Sequence, residues 1–265
     1  MNEELRLSVS KTKTFLSCKK KYEYTYIQKL PRKTQDFYTV GKFCHKALED
    51  FHKIFMDKHY MYESSRSYSI IMSKIFKDTY NLYKIDMTLE MKKECWDILN
   101  NYLKIISNKK VNNSFINVIA CEKGFEYNIE NKIILNGSID RIQLDDDNII
   151  HIADYKTTKN KKYLKDDFFQ LLTYAYIILM EDPSIDKIRA SYILLRHDFE
   201  YITTEFIKSE LIKVKDLYID YANKILSEKE FKSNPTNLCK FCDYINVCEE
   251  GKKTDFSSIF GEVTW

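Results

Sequence analysis

Two neighbouring stretches constrain this chain more than any other part of it. Gly137-Ser138-Ile139-Asp140-Arg141-Ile142-Gln143-Leu144 and Ile149 to Lys156 flank Asp145-Asp146-Asp147-Asn148, a run of turn formers. Both are rich in isoleucine, and they read as two strands joined by a tight turn. Side chains two apart on a strand point the same way. Asp140 therefore shares a face with Ile142 and Leu144, while Asp154 and Lys156 continue the face of Ile150 and Ile152. Burying such ions costs roughly several kcal/mol each unless they pair or bind a cation. The plain reading is an Asp–Lys pair at a strand end where a sheet meets water. Two aligned strands shift the balance. Paired carboxylates hold Mg2+ or Mn2+, and a neighbouring lysine orients water or stabilises phosphate charge, which is the chemistry of phosphodiester hydrolysis.

The rest of the chain frames this pair. Val118 to Ile129 and Lys132 to Leu144 read as strands, which with Ile149 to Lys156 predicts an antiparallel meander. From Gly41 onward, Phe43, Ala47, Phe51, Ile54 and Phe55 fall on one helical stripe, and the helical pattern persists over Ser67 to Ser107. A helix is expected from Asp166 to Glu181, ended by Pro183, then strands at Lys187–Arg196 and Tyr201–Phe206, and a helix from Ser209 to about Lys229. This order predicts one α/β domain over 1–265. Within it, 41–112 is a largely helical arm, 116–206 a core sheet and helix, and 207–265 a C-terminal helix with a cysteine cluster.

A composition of 44% hydrophobic and 31% charged residues suits a globular chain and argues against disorder. The net charge of +3 decides little, and a lysine-rich, arginine-poor make-up reflects AT-rich coding as readily as DNA binding. The local basic stretch from Lys11 to Lys33, interleaved with Phe15, Tyr22, Tyr24 and Tyr26, is more informative. The longest nearly apolar run, Leu171 to Met180, is half the roughly 20 residues a membrane span needs. The start lacks a signal-type apolar run, so a cytoplasmic protein without a membrane partner is expected. In that compartment seven cysteines stay reduced or bind metal. Cys239-x2-Cys242-x5-Cys248 is compact and Cys18 lies far upstream. Four thiolates hold either zinc or an iron–sulfur cluster, and a zinc ribbon normally supplies two close pairs where one is missing here. Cys44, Cys95 and Cys121 read as small apolar residues.

Gly-Ser-Ile-Asp140-Arg-Ile followed by Ile-Ala-Asp154-Tyr-Lys156-Thr resembles the core of the PD-(D/E)XK nuclease superfamily, in particular its RecB-like branch. Asp140 matches the first acid, Asp154 the second and Lys156 the lysine, with Ile139 in the place of the proline. The resemblance implies a restriction-endonuclease-like α/β core, a central mixed sheet flanked by helices, with an N-terminal helical region and a C-terminal iron–sulfur segment. It also implies that the backbone carbonyl of Tyr155 is a metal ligand. Gly41-Lys-Phe-Cys-His45-Lys-Ala-Leu-Glu49 is similar to the branch's G-x3-H-x2-L-E helix, whose histidine binds metal. Without that match a histidine on a helix face is an ordinary exposed residue, even beside Glu49 and His52 on one stripe. Gln170 and Tyr174 match a Q-x3-Y helix that implies substrate contact; as bare residues they are an amphipathic edge. Glu122 falls where the branch is often acidic, and a solvated strand charge explains it equally well.

The one-plus-three cysteines resemble the subgroup containing the AddB nuclease domain and the CRISPR-associated adaptation exonucleases. Leu7-Ser8-Val9-Ser10 through Phe15-Leu16-Ser17-Cys18-Lys19 is similar to that subgroup's start, with Lys19 where proline is usual. The implication is a [4Fe–4S] cluster on Cys18, Cys239, Cys242 and Cys248. The function implied is a DNA exonuclease acting on single strands or DNA ends, in CRISPR adaptation or recombination and repair. His45, Asp140 and Asp154 would bind one or two Mg2+ or Mn2+ ions and Lys156 would position the attacking water. The sequence contains no G-x4-G-K-[ST] loop, so a motor would come from a separate helicase, and adaptation integrases are the other expected partners. The competing expectation is a catalytically silent DNA-binding or partner-docking module of the same fold.

Overall fold

The computed structural model describes residues 4–32, 36–58, 65–107, 117–130, 132–164 and 167–253. The chain divides into two compact units.

The larger unit, Gln35–Tyr127 with Asn136–Lys215, holds the candidate catalytic residues. Its helices are α3 (Asp36–Lys58), α4 (Ser65–Tyr83), α5 (Leu89–Ser107), α6 (Phe169–Glu181) and α7 (Lys208–Leu211). Its strands come from β2 (Val118–Glu130), β3 (Ile133–Leu144), β4 (Ile150–Lys156), β5 (Lys187–Leu194) and β6 (Glu200–Ile207). Strand β2 pairs with β3. Strands β3 and β4 pair antiparallel, from Leu144 opposite Ile150 to Arg141 opposite Ala153. Asn148 closes the turn between them with a positive φ of 59°, a left-handed conformation that asparagine tolerates. Strand β5 runs parallel to β4, which requires a crossover, and the apolar helix α6 supplies it. Strand β6 returns antiparallel to β5, so the sheet is mixed.

The helical stretch expected after Gly41 is three helices built around one core. Val40, Phe43, Ala47, Leu48, Phe51 and Phe55 form a continuous stripe along α3, at the spacing that puts them on one face. That stripe packs with residues of α4 and α5 and with Ala153, Tyr155 and Ile193 of the sheet. Helix α3 thus lies directly on the strand that carries Asp154 and Lys156. The single helical pattern read over Ser67 to Ser107 is interrupted by a short turn at Lys84–Asp86. Thr88 restarts the helix, its hydroxyl accepting from the Met91 N–H at 3.2 Å. The helix expected from Ser209 is likewise two, α7 and α8 (Val214–Ser227).

The smaller unit comprises Met1–Thr34, Asn128–Leu135 and Asp216–Trp265. A three-residue strand, β1 (Leu5–Leu7), pairs in parallel with Ile133–Leu135. Helix α1 (Val9–Ser17) follows, capped by the Ser8 hydroxyl, and then α2 (Lys19–Tyr22). The N-terminal helices and the C-terminal segment, which ends in α9 (Glu249–Lys253), are joined by many contacts. Tyr22 stacks on Phe231, the Asn234 amide donates to the Ser17 carbonyl at 3.0 Å, and Lys19 pairs with Glu228. Tyr24 packs against Tyr244, whose hydroxyl also meets that of Thr25. No helix among the described residues is long and apolar enough to cross a membrane.

Candidate functional site

The register of β3 and β4 fixes the geometry of the two acids. Ile142 faces Ile152 and Leu144 faces Ile150, so Asp140 and Asp154 are the next opposed pair beyond the last ladder partners, Arg141 and Ala153. There the Tyr155 N–H donates to Asp140 Oδ2 at 2.8 Å. Asp154 is only 2% exposed. Lys156 Nζ lies 2.6 Å from Asp154 Oδ2 and forms an ion pair with it. The same ammonium donates to Gln170 Oε1 at 2.8 Å, and Gln170 Nε2 donates to the Tyr174 hydroxyl at 2.8 Å. Gln170 and Tyr174 sit one turn apart on α6, as their spacing requires.

His45 arrives from α3. Its Nδ1 is 3.3 Å from Asp140 Oδ2 and its Nε2 is 3.0 Å from the Tyr155 carbonyl oxygen. Both partners are acceptors, an arrangement that favours the doubly protonated ring. Burial alone would lower its pKa, but the charges of Asp140, Asp154 and Glu122 outweigh burial and raise it to about 9. Burial pushes Asp154 up to about 6; Lys156 opposes this and Asp140 reinforces it. Glu122 is also raised, first by burial and then by Asp140, while the Ser138 hydroxyl donates to it at 2.9 Å.

Glu122 is the candidate ligand that sequence reasoning left undecided. It sits within β2 at a φ of 46°, a left-handed conformation that costs a non-glycine residue of order 1–3 kcal/mol. That kink accompanies a carboxylate turned toward the other acids. Ligand atoms of His45, Glu122 and Asp140 all lie within 4.8 Å of one another. One imidazole and converging carboxylates are a donor set suited to Mg2+ or Mn2+. Replacing Glu122 with Gln is expected to weaken Mn2+ binding about 10-fold to 100-fold by calorimetry, a range typical for disturbed metal sites. Unaltered affinity would remove Glu122 from the set.

The other members of the α3 stripe diverge. Glu49 pairs with Lys46 and Lys53 on the wall of the groove. His52 is buried; its Nε2 meets the Tyr102 hydroxyl at 2.8 Å, and burial together with Arg141 holds its pKa well below the usual value. Arg141, next to Asp140 in sequence, is 2% exposed, and nothing in its sequence context marked it. Its guanidinium donates to the hydroxyls of Tyr155 at 3.3 Å and Tyr201 at 3.0 Å and lies over the Tyr155 ring. The side chain of Tyr155 is thereby fixed while its carbonyl faces His45. A groove of about 1090 Å³ opens over these groups, lined by His45, Glu122, Lys156, Thr157, Lys159 and Lys42. Helix α3 approaches the end of β4 so closely that a Cβ on Gly41 would meet Thr157 Oγ1 at 3.2 Å.

In the smaller unit, Cys18, Cys239, Cys242 and Cys248 line a single cavity. Three of these sulfurs accept backbone N–H groups: Cys18 from Lys21 at 3.4 Å, Cys239 from Thr236 at 3.3 Å and Cys248 from Gly251 at 3.4 Å. Such donors favour thiolate ligands. Among the described residues no three cysteine sulfurs lie within 4.8 Å of one another. Cys44 and Cys95 are buried together in the larger unit, and burial pushes the Cys121 thiol up to about 12, as apolar core residues require.

A model of the PD-(D/E)XK nuclease superfamily matches residues 6–249. No curated protein matches the chain. A solved structure titled "Crystal structure of SSO0001" aligns over 94% of this chain and 88% of its own at 14% identity, with a TM-score of 0.41. The family match spans the opposed acids, the lysine beside them and the helix that brings His45, on a mixed α/β scaffold; the chain belongs to the PD-(D/E)XK nuclease superfamily.

Proposed function

We propose that the protein is a metal-dependent DNA exonuclease of the RecB-like branch, acting on single strands or DNA ends. The observation that carries this reading is the convergence of His45, Glu122 and Asp140 within 4.8 Å in a groove that Lys156 also lines. Asp140, Asp154, His45 and the Tyr155 carbonyl, joined by Glu122, would hold one or two Mg2+ or Mn2+ ions. When bound, such ions polarise a phosphodiester and lower the pKa of water. Lys156, held between Asp154 and Gln170, presents its ammonium to the attacking water and to the phosphate oxygens that gain charge. Gln170 and Tyr174, expected to touch substrate, form a hydrogen-bonded chain behind Lys156, and we assign them to holding it in place. Lys42 and Lys159 on the groove wall suit the DNA backbone.

A silent DNA-binding module is disfavoured because each acid and the lysine is present and oriented. Purified protein with Mn2+ should shorten DNA from its ends, and a protein that binds DNA tightly without cutting it would establish the silent module instead. The four cysteines lining one cavity, with sulfurs of Cys18, Cys239 and Cys248 accepting backbone N–H groups, support a [4Fe–4S] cluster on Cys18, Cys239, Cys242 and Cys248. Anaerobically purified protein should then be brown and contain iron and sulfide; a colourless sample with stoichiometric zinc would exclude the cluster. CRISPR adaptation or recombination and repair is the proposed setting, with a separate integrase or helicase as partner.

The imidazolium gives metal binding a defined pH dependence. With His45 at about 9, its ring must lose a proton to become a ligand at neutral pH. Between the Asp154 value of about 6 and that of His45, Mn2+ affinity should therefore rise up to about tenfold per pH unit, and it should flatten above about 9. Calorimetry in buffers of different ionisation enthalpy should count about one proton released per site at pH 7. A release near zero would mean that His45 does not ligate.

A further inference from the structure

The turn between α4 and α5 exposes three large aliphatic side chains: Leu82 is 69% exposed, Ile85 93% and Leu89 77%. Scattered exposed aliphatics are ordinary, but three within eight residues on one helical tip are a concentrated apolar surface. They alternate along the chain with Tyr83, Thr88, Glu90 and Met91, all of which line the groove that holds His45, Glu122 and Lys156. The tip is thus continuous with the wall of the candidate catalytic groove. Its charges are balanced, Lys84 being accompanied by Asp86 and Glu90, and Lys92 is turned onto the Tyr80 ring at 4.1 Å. Such a surface has little to offer phosphates. Aliphatic side chains set beside a DNA path instead match the flat faces of bases, which leucine and isoleucine wedges elsewhere part by inserting between them.

We propose that the α4–α5 tip is a strand-opening wedge, whose Leu82, Ile85 and Leu89 pack on the terminal base pair of a duplex and feed one strand into the groove. The proposal rests on the nuclease reading and adds to it a substrate form, the duplex end, and a use for the helical segment. The tip's structure supports the role mechanically, because Thr88 caps α5 and fixes the turn.

The test compares the full chain with the triple variant Leu82→Ser, Ile85→Asp, Leu89→Ser, using Mn2+ and one oligonucleotide presented alone or in a blunt duplex. All three side chains face solvent, so the variant should fold, which circular dichroism checks. The ratio of duplex to single-strand degradation should fall about tenfold or more, as expected when unstacking is no longer assisted. An unchanged ratio would overturn the wedge, and so would a wild-type protein that degrades single strands but leaves blunt duplexes intact. A second arm does not depend on cleavage. With 2-aminopurine at the duplex end and Ca2+ in place of Mn2+, wild-type protein should raise the fluorescence and the variant should not. If the wild type cuts neither substrate, the nuclease reading fails while the fluorescence arm still decides the wedge: a rise lost in the variant supports it, and no rise refutes it.

Discussion

Replacing Lys156 with alanine is expected to slow Mn2+-dependent DNA cleavage by about 10²–10⁴-fold, the range for losing a positioned proton donor or charge-stabilising group. Two losses combine. The ammonium proposed to face water and phosphate disappears, and Asp154 loses the cation 2.6 Å from its carboxylate. Burial already raises Asp154 to about 6 with the lysine present, so removing the lysine raises it further. A raised carboxyl is protonated below its pKa and ionised above it, so the residual activity should climb with pH more steeply than in the wild type. Asp154→Ala should be at least as damaging and lack that pH recovery. Rates close to wild type in both variants would refute the assignment of β4 as the catalytic strand.

Cys18→Ala is expected to bleach the protein and to destabilise it. Of the four cysteines that line the cavity, it is the one from the N-terminal segment, where Lys20, Lys21 and Tyr24 also contribute to the lining. A cross-link over so long a loop is worth about 5 kcal/mol in the chain-entropy model. For a chain of this size that corresponds to a melting midpoint lower by roughly 10–20 °C. Iron content, absorbance near the visible and a thermal scan under argon test both effects together. A variant that keeps its iron and its midpoint would show that Cys18 is not a ligand. The hydrogen bonds and ring contacts of Tyr22, Tyr24 and Asn234 would still hold the smaller unit loosely together, so the variant should unfold earlier rather than fail to fold.

What could be read in advance depended on how local its cause was. Asp140, Asp154 and Lys156 were legible because strand parity operates over two residues and the Asp145–Asn148 turn fixes which strand opposes which. The α3 core face was legible for the same reason at helical spacing. His45 stood out only through resemblance, since its partners lie on β3 and β4, far along the chain. Glu122 was marked only by a position where the branch is often acidic, because a left-handed residue inside a strand breaks the alternation that strand reading relies on. Arg141 resembled a surface charge between apolar neighbours, and only the tyrosines that enclose it make its burial tolerable. The β1 strand is too short to carry a pattern. The break at Lys84–Asp86 was signalled by one threonine cap, Thr88, against a helical pattern spanning both sides.

The proton on His45 bears on how the protein is made. Carboxylates gathered in a shielded corner repel one another, and many such sites assemble only around their ion. Here His45 lies between Asp140 and the Tyr155 carbonyl, and the surrounding carboxylates favour its charged form, which supplies a counter-ion from within the chain. The larger unit is therefore expected to fold before any metal is bound. Chelator should strip activity from this protein while leaving its larger unit folded.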